Sequence, residues 1–342
     1  MSIITIVGSG VMGSAMCWPA RDNGHEVRLV GTHLDREIID AAKKTGEHIK
    51  LKRRLPDGVL CYQIEELETA LSGADLVIGG VSSFGARWFE ENVLPKIADG
   101  TPVLSVTKGL EAQEDGTLLP FPVAMAKRMP AGRNVVLNAI GGPCLCYELC
   151  DHHHTTIAFC GPDMELLKKL RDMLETEFYH VCLSTDIAGV ECAVAMKNGF
   201  ALGVALAIGQ KEAAGVENLN PESALFGEAT RETLRLIRLM GGEEESICYF
   251  AGDLYVTVYA GRSRRLGELL GRGLDIDEAR ERLNGVTLES AAVDVTVAAA
   301  LRRMAEDGRA NPDDFPLLQH IDELLSQHAK LNIPWEKMAR NA

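Results

Sequence analysis

Short runs of β-branched and aliphatic residues alternate with helix-like stretches through the first half of the chain. Each run is typical of a buried strand, and Met164 to Phe178 has the apolar spacing of an amphipathic helix. Strands that alternate with helices predict a parallel sheet with helices on both faces. The predicted strands are Ile3–Val7, Val27–Val30, Leu76–Val81, Pro102–Thr107, Val135–Ile140, Thr155–Phe159 and Val181–Leu183.

The pattern changes at about Thr185, after which helical spacing dominates and few runs are typical of strands. The sequence therefore predicts an α/β domain over residues 1–185 and an all-α domain over residues 186–342. The helices predicted in the second part are Asp186–Leu206, Pro221–Met240, Ile276–Leu283, Ala291–Ala305 and Pro316–Leu325.

The charge balance narrows the functional classes. The 342 residues include 35 Lys and Arg against 49 Asp and Glu, which gives a net charge of −14. Such an acidic chain is not expected to bind nucleic acid or anionic membranes through its overall charge. No basic leader precedes the first strand, and no apolar run reaches transmembrane length, so we expect no membrane insertion and a cytoplasmic location.

Nine cysteines and a run of histidines are the candidates for metal binding. No CxxC pair occurs, and the spacing of Cys144-Leu145-Cys146 suits zinc poorly. The adjacent side chains of His152-His153-His154 diverge and predict a solvated loop. We therefore expect free thiols in a reducing cytosol and no metal site.

A glycine-rich turn, Gly8-Ser9-Gly10-Val11-Met12-Gly13, follows the first predicted strand and opens a predicted helix. In such a motif Gly8 permits the tight turn, Gly10 lets the backbone approach a pyrophosphate, and Gly13 allows close helix–strand packing. The helix start adds N–H donors and a positive dipole. The context predicts dinucleotide binding and an N-terminal, Rossmann-type, doubly wound parallel sheet followed by the all-α C-terminal domain.

The end of the second strand bears on the choice of cofactor. An acidic residue usually takes the ribose hydroxyls of NAD there, but this strand ends Val30-Gly31-Thr32-His33. Asp35 comes late, and Arg28 or Arg36 could meet the 2′-phosphate of NADP. We expect NAD, with NADP as the alternative.

Other strand ends add candidate cofactor contacts, because ligands of such sheets bind at the carboxyl ends of the strands. Ser82 and Phe84 follow one predicted strand, Lys108 follows another, and Cys146 lies after the Gly142-Pro143 turn. Lys108 has a buried-type strand before it and Gly109 after it, so we expect its side chain to point into the cleft.

The helical half holds the candidate catalytic groups. Lys197 is the lone charge between Ala193 and Ile208, and lysine is rarely buried without a partner. A lysine whose pKa is tuned by its surroundings can pass a proton to and from an alcohol oxygen. Asp253 lies in an apolar stretch and predicts a paired carboxylate. Arg262 to Arg265 holds three arginines, whose guanidinium groups suit a phosphate.

These motifs, in this order, resemble the NAD(P)-dependent glycerol-3-phosphate dehydrogenases over nearly the whole length. The series continues after the glycine turn with Ser105 to Glu111, Gly142-Pro143 with Glu148, Val190-Glu191 before Lys197-Asn198, Gly252-Asp253-Leu254 with Thr257, and Arg262 to Gly271. The resemblance implies reduction of dihydroxyacetone phosphate to sn-glycerol 3-phosphate and the reverse reaction. A small phosphorylated substrate and a homodimer are implied as well.

The resemblance also implies roles for single residues. Lys197 matches the catalytic proton donor and acceptor, Lys108 the lysine that lines the cleft beside it, and Asp253 the carboxylate hydrogen-bonded within that pair. The matching substrate contacts are Asn198, Thr257, Arg262 and Ser263. The matching or expected cofactor contacts are Gly8, Ser9, Gly10, Val11, Met12, Gly13, Ser82, Phe84, Lys108, Cys146, Arg262 and Glu289.

Three alternatives stay open. Ser263 stands where the family usually has asparagine, so the same chemistry could act on another ketose or polyol phosphate or on a hydroxy acid. The N-terminus also resembles β-hydroxyacid dehydrogenases, but those place a lysine and an asparagine four residues apart, whereas Lys197 and Asn198 are adjacent. The third alternative is a non-catalytic nucleotide-binding protein.

Overall fold

The computed structural model describes residues 1–283 and 289–340, apart from the side chains at positions 262 and 289–291. The chain divides into two compact units. The first comprises Met1–Lys108 and Phe121–Ile187, and the second comprises Gly109–Pro120 and Ala188–Ala342. Each unit buries apolar residues of its own, so each has an independent core.

Every strand predicted from the sequence overlaps a strand of the structure. The described residues form β1 (Ile3–Val7), β2 (Glu26–Val30), β3 (Glu47–His48), β4 (Arg53–Arg54), β5 (Val59–Tyr62), β6 (Leu76–Gly79), β7 (Val103–Ser105), β8 (Leu110–Ala112), β9 (Leu118–Pro120), β10 (Leu137–Gly141), β11 (Thr155–Cys160) and β12 (Tyr179–Ser184). The pattern does not predict β3, β4, β5, β8 or β9. β3 and β4 have two residues each, which is too few to carry a periodic signal.

One large sheet organises the first unit, in the strand order β12-β11-β10-β7-β6-β1-β2-β5. Neighbouring strands are parallel except β10 and β11, which are antiparallel. In an antiparallel pair the second strand begins at the end of the sheet where the first strand finishes, so β11 starts beside the carboxyl end of β10. The Rossmann-type fold is confirmed, with this one reversal that the sequence pattern did not predict.

The helices of the described residues follow in chain order. They are α1 (Val11–Ala15), α2 (Cys17–Asp22), α3 (Arg36–Thr45), α4 (Leu67–Leu71), α5 (Ala86–Asn92), α6 (Phe121–Arg128), α7 (Cys146–Cys150), α8 (Met164–Leu174), α9 (Ile187–Ala214), α10 (Asn220–Leu239), α11 (Ile247–Ala260), α12 (Arg262–Gly271), α13 (Ile276–Arg282), α14 (Glu289–Ala305), α15 (Pro316–Ser326) and α16 (Trp335–Arg340).

Helix α9 is the central element of the second unit. It is long and apolar enough to span a membrane, although the sequence pattern predicts no such helix. However, 89% of an apolar 18-residue stretch of this helix is buried inside the protein. A helix that is apolar on all sides and covered by protein is a core helix. Its apolar residues therefore form the core of the helical unit.

A short hairpin changes the predicted domain boundary. The sequence places residues 109–120 in the α/β domain, but β8 and β9 belong to the second unit. Leu110 and Leu118 are buried in the core of that unit. Arg309 donates to the Asp115 carbonyl oxygen and, at 3.1 Å, to the Thr117 hydroxyl. These contacts join residues about 190 positions apart, so no local pattern could reveal them.

Helix α14 carries a buried carboxyl group, that of Asp294. Asp294 is fully buried, and among the described residues neither of its carboxylate oxygens has a hydrogen-bond partner. Burial, with a smaller contribution from the nearby Asp322 carboxylate, raises the pKa of Asp294 well above its ordinary value. The neutral acid is therefore the form that this core favours.

The Asp294→Asn substitution is expected to remove a pH dependence of stability. In the unfolded chain the carboxyl group loses its proton near pH 4, whereas the folded protein retains it. The free energy of unfolding therefore falls as pH rises from about 4 towards the raised pKa, by at most about 1.4 kcal/mol per pH unit. Urea unfolding at several pH values should show this slope in the wild type and a flatter profile in D294N. An equal slope in both proteins would refute the assignment.

Candidate active site

The glycine-rich turn after β1 is held against the strand-end backbone of β6. Gly8 has a φ of +108°, and a Cβ there would lie 2.7 Å from the Gly80 carbonyl carbon. A Cβ on Gly13 would overlap the Gly8 carbonyl oxygen. Gly10 differs, because its φ of −65° suits any residue and its Cβ would have an ordinary contact at 3.7 Å. Gly8 and Gly13 are thus required by packing, whereas Gly10 has room for a small additional group.

The turn fits a dinucleotide pyrophosphate. Helix α1 begins directly after Gly10, and no side chain caps its first N–H groups. Half-buried Val11 and Met12 start this helix. The hydroxyl groups of Ser9 and Ser14 are buried with no hydrogen-bond partner among the described residues. Uncapped donors beside a glycine cradle are the arrangement that holds a phosphate group at a helix start.

Gly10→Ala is expected to weaken cofactor binding without unfolding the protein. The methyl group fits the backbone but occupies the space that a pyrophosphate needs, so the Kd should rise at least about 10-fold, or about 1.4 kcal/mol. Titration with NADH and NADPH measures this effect. Gly227→Ala on α10, which also adds a methyl group in open space, should leave the Kd unchanged. Wild-type affinity in G10A would contradict this placement.

The candidate ribose and phosphate contacts on and after β2, which are Arg28, Asp35 and Arg36, have partners within the protein. The Asp35 carboxylate is buried and accepts from the Thr32 N–H at 2.9 Å and the Thr32 hydroxyl at 2.8 Å. Arg28 donates to Glu26 at 2.7 Å and to backbone carbonyls, including that of Ser72 at 2.7 Å. Arg36 is exposed and pairs with Glu65. The Asp35 carboxylate therefore stabilises the loop that contains Thr32, and Arg28 joins β2 to neighbouring backbone.

The candidate contacts at the other strand ends lie on the first unit. Ser82 and Phe84 are exposed after β6, and Cys146 is half-buried at the start of α7. Lys108 is half-buried after β7, and its ammonium donates to the Gly142 carbonyl oxygen at 3.3 Å. The parallel strands β6, β7 and β10 have their carboxyl ends on the same side of the sheet, and ligands of such sheets bind on that side.

An ion pair joins the two predicted catalytic residues of the second unit. The Lys197 Nζ lies 2.6 Å from Asp253 Oδ1, and the two side chains are 15% and 1% exposed. One helical turn away, the buried rings of Phe200 and Phe250 pack edge to face with centroids 5.9 Å apart. Because both pairs join α9 to α11, the aromatic contact fixes the register that brings ammonium and carboxylate together.

Two further predicted contacts, Asn198 and Thr257, lie on the same two helices as this pair, and a third, Ser263, lies on α12. Asn198 follows Lys197 and is half-buried. Thr257 is buried one turn after Asp253 and donates its hydroxyl to the Asp253 carbonyl oxygen at 2.6 Å. Ser263 is buried in the first turn of α12. The side chains of Arg262 and Glu289, both predicted contacts, lie outside the described residues.

Metal binding has no support in the described part of the chain. No group of three or more His, Cys, Asp or Glu residues there could hold a metal ion. Each cysteine is a free thiol. His152 bonds to Asp22 at 2.9 Å, whereas His154 stacks on His180, so these two histidines of the run face different partners.

Sequence reasoning missed one buried residue at the turn. His48 on β3 is fully buried, and its Nε2 lies 2.9 Å from the Ser9 carbonyl oxygen. The residue is flanked by Glu47 and Ile49 in a segment without a motif, so no sequence signal marks it.

Two sequence profiles of one family match the chain. The profile described as NAD-dependent glycerol-3-phosphate dehydrogenase N-terminus matches residues 3–167, and the corresponding C-terminus profile matches residues 186–335. The chain belongs to the NAD-dependent glycerol-3-phosphate dehydrogenase family. It is therefore an oxidoreductase, and its cofactor is NAD or NADP.

Individual proteins that are similar to this chain are also named glycerol-3-phosphate dehydrogenases. An NADP(+)-dependent glycerol-3-phosphate dehydrogenase from Archaeoglobus fulgidus is 36% identical over 283 residues, or 82% of this chain and 83% of the relative. A glycerol-3-phosphate dehydrogenase [NAD(P)+] from Geobacillus kaustophilus is 30% identical over 84% of this chain and 81% of its own. The fold is similar to a crystal structure of glycerol-3-phosphate dehydrogenase from Coxiella burnetii, with a TM-score of 0.81, 23% identity and coverage of 99% and 98%.

Proposed function

We propose that this protein interconverts dihydroxyacetone phosphate and sn-glycerol 3-phosphate, with Lys197 as the general acid and base. The observation that carries the proposal is the buried ion pair between Lys197 and Asp253 in a member of this family. A reduced nicotinamide cofactor, when bound, supplies the hydride that the carbonyl carbon receives.

Lys197 handles the proton of this reaction. In reduction, its ammonium group donates a proton to the carbonyl oxygen as the hydride arrives, and in oxidation the neutral amine accepts the proton from the hydroxyl group. The Asp253 carboxylate, 2.6 Å from Nζ, supplies the opposite charge that a lysine in this setting needs. The pair therefore keeps a proton available at one fixed atom.

Anion recognition is assigned to the polar residues around the pair. Arg262 is proposed to bind the substrate phosphate, because a guanidinium group can donate two parallel hydrogen bonds to it. Asn198, Thr257 and Ser263 are proposed to hold the rest of the substrate. The glycine turn is proposed to hold the cofactor. Lys108 is proposed as a further catalytic residue that, with Asp253, sets the charge of Lys197, and as a cofactor contact.

Turnover by the purified protein tests this proposal. Adding dihydroxyacetone phosphate to protein with NADH or NADPH should oxidise the cofactor with saturable kinetics. Longer ketose phosphates and hydroxy acids serve as matched substrates, because Ser263 has a shorter side chain than the asparagine usual in the family. A higher kcat/KM for one of these compounds would overturn the substrate assignment, and turnover of none would overturn the enzymatic role.

Two further expectations accompany this function. The family resemblance favours a homodimer, and the free thiols favour a reducing cytoplasm. Both stay predictions. Light scattering of the purified protein measures the first, and fractionation of cells that express it measures the second.

A further inference from the structure

His48 has two hydrogen bonds that fix its ring. Its Nδ1 accepts from the Leu51 N–H at 3.0 Å, and its Nε2 lies 2.9 Å from the Ser9 carbonyl oxygen. Burial lowers the pKa of His48, which favours the neutral ring. Since Nδ1 is an acceptor, the single ring proton lies on Nε2, and Nε2 donates to Ser9.

This bond determines the orientation of a peptide group in the glycine turn. In a planar trans peptide, the carbonyl of one residue and the N–H of the next point in opposite directions. No cis peptide bond occurs among the residues that the structure describes. Because His48 holds the Ser9 carbonyl on the buried side, the Gly10 N–H points to the opposite side. Gly10 itself is half-buried, and an added Cβ there would have one ordinary contact, at 3.7 Å.

We propose that His48 is a positioning residue for the cofactor pyrophosphate, which acts by aiming the Gly10 N–H at a phosphate oxygen. Without the imidazole, the Ser9–Gly10 peptide group can rotate and the donor is no longer fixed before the cofactor binds. Preorganised donors of this kind lower the cost of binding, since the turn does not have to be ordered by the ligand. The inference depends on dinucleotide binding and not on the substrate proposed above.

The two bonds of His48 can be removed separately. In His48→Asn, the carboxamide oxygen can still accept from Leu51, but the side chain is too short to donate to Ser9. In His48→Gln, the longer carboxamide can donate to the Ser9 carbonyl oxygen. His25 is a matched control, because its Nδ1 also accepts a hydrogen bond from a backbone N–H group, that of Ser2, at 3.1 Å. The Nε2 of His25 also lies 3.0 Å from a backbone carbonyl oxygen, but this oxygen belongs to Met173 and not to the glycine turn.

Binding of NADH and NADPH to the full chain, without substrate, tests the role. We expect H48N to raise the Kd about 10-fold, H48Q to stay within about 3-fold of the wild type, and H25N to bind normally. In turnover, the KM for the cofactor should rise in H48N while kcat at saturating cofactor is kept. Thermal unfolding of each variant establishes that it is folded at the temperature of the titration.

Three outcomes would overturn this role. Wild-type affinity in H48N would show that the bond to Ser9 does not contribute to binding. Equal weakening in H48N and H48Q, or in H25N, would indicate a general loss of stability instead of lost positioning. A wild-type protein that binds no dinucleotide would remove the inference together with the cofactor, whereas binding without turnover of dihydroxyacetone phosphate would affect only the proposed substrate.

Discussion

Lys197→Met is expected to lower kcat by roughly 10²- to 10⁴-fold, the range that a general acid and base contributes. Methionine matches the lysine stem in length and lacks the proton. The variant leaves Arg262, the proposed partner of the substrate phosphate, unchanged, so the substrate KM should change less than kcat. Steady-state kinetics with dihydroxyacetone phosphate and saturating cofactor measures both quantities.

Lys211→Met supplies the control for this variant. Lys211 lies on the same helix α9, its Nζ is 2.6 Å from Glu222, and its side chain is 18% exposed against 15% for Lys197. Both variants therefore remove a half-buried ion pair from one helix. A general effect of losing such a pair would lower kcat equally in both proteins, and wild-type turnover in a folded K197M would exclude Lys197 as the proton donor.

Asp253→Asn is expected to lower kcat about 10²-fold and to cost roughly 3–5 kcal/mol of unfolding free energy. The substitution keeps the shape of the side chain but leaves the Lys197 ammonium without the carboxylate at 2.6 Å. The Thr257 hydroxyl should stay in place, because it donates to the backbone of residue 253 and not to the side chain. Urea unfolding and kcat report the two effects separately.

The partner of Lys211 gives the matching control. Glu222→Gln removes the negative charge of the second α9 ion pair, whose carboxylate is 14% exposed compared with 1% for Asp253. We expect a smaller loss of stability, because solvent screens that charge better, and an unchanged kcat. A wild-type kcat in the D253N variant would show that Asp253 is not part of the catalytic pair.

The parts of the fold that local pattern controls could be predicted. The glycine turn follows an apolar strand, and Gly8 has a φ of +108°, which glycine adopts readily and other residues rarely adopt. Lys197 could be singled out because a lone charge in an apolar helix needs a partner. Asp253 was the expected partner, and the structure brings the two side chains together.

Other features depend on contacts between distant residues and could not be predicted. Helix α11 is apolar over most of its surface, so periodicity did not identify the helix that carries Asp253. The β8–β9 hairpin joins the helical unit through contacts with residues far along the chain. Arg28 has the chemistry of a phosphate ligand, but nearby carbonyl oxygens occupy its donors. Sequence identifies what a side chain can do, whereas packing determines which partner it meets.

Isotope transfer tests the central claim, which is a hydride transfer to the carbonyl carbon of dihydroxyacetone phosphate with protonation by this chain. The protein is incubated with the ketone and with reduced cofactor that carries deuterium at both nicotinamide C4 positions, and the product is analysed by NMR and mass spectrometry. The account predicts sn-glycerol 3-phosphate with deuterium bound to carbon 2 and none at the hydroxyl oxygen after exchange in water. Product without deuterium at carbon 2, or no product from a protein that binds the cofactor, would contradict it.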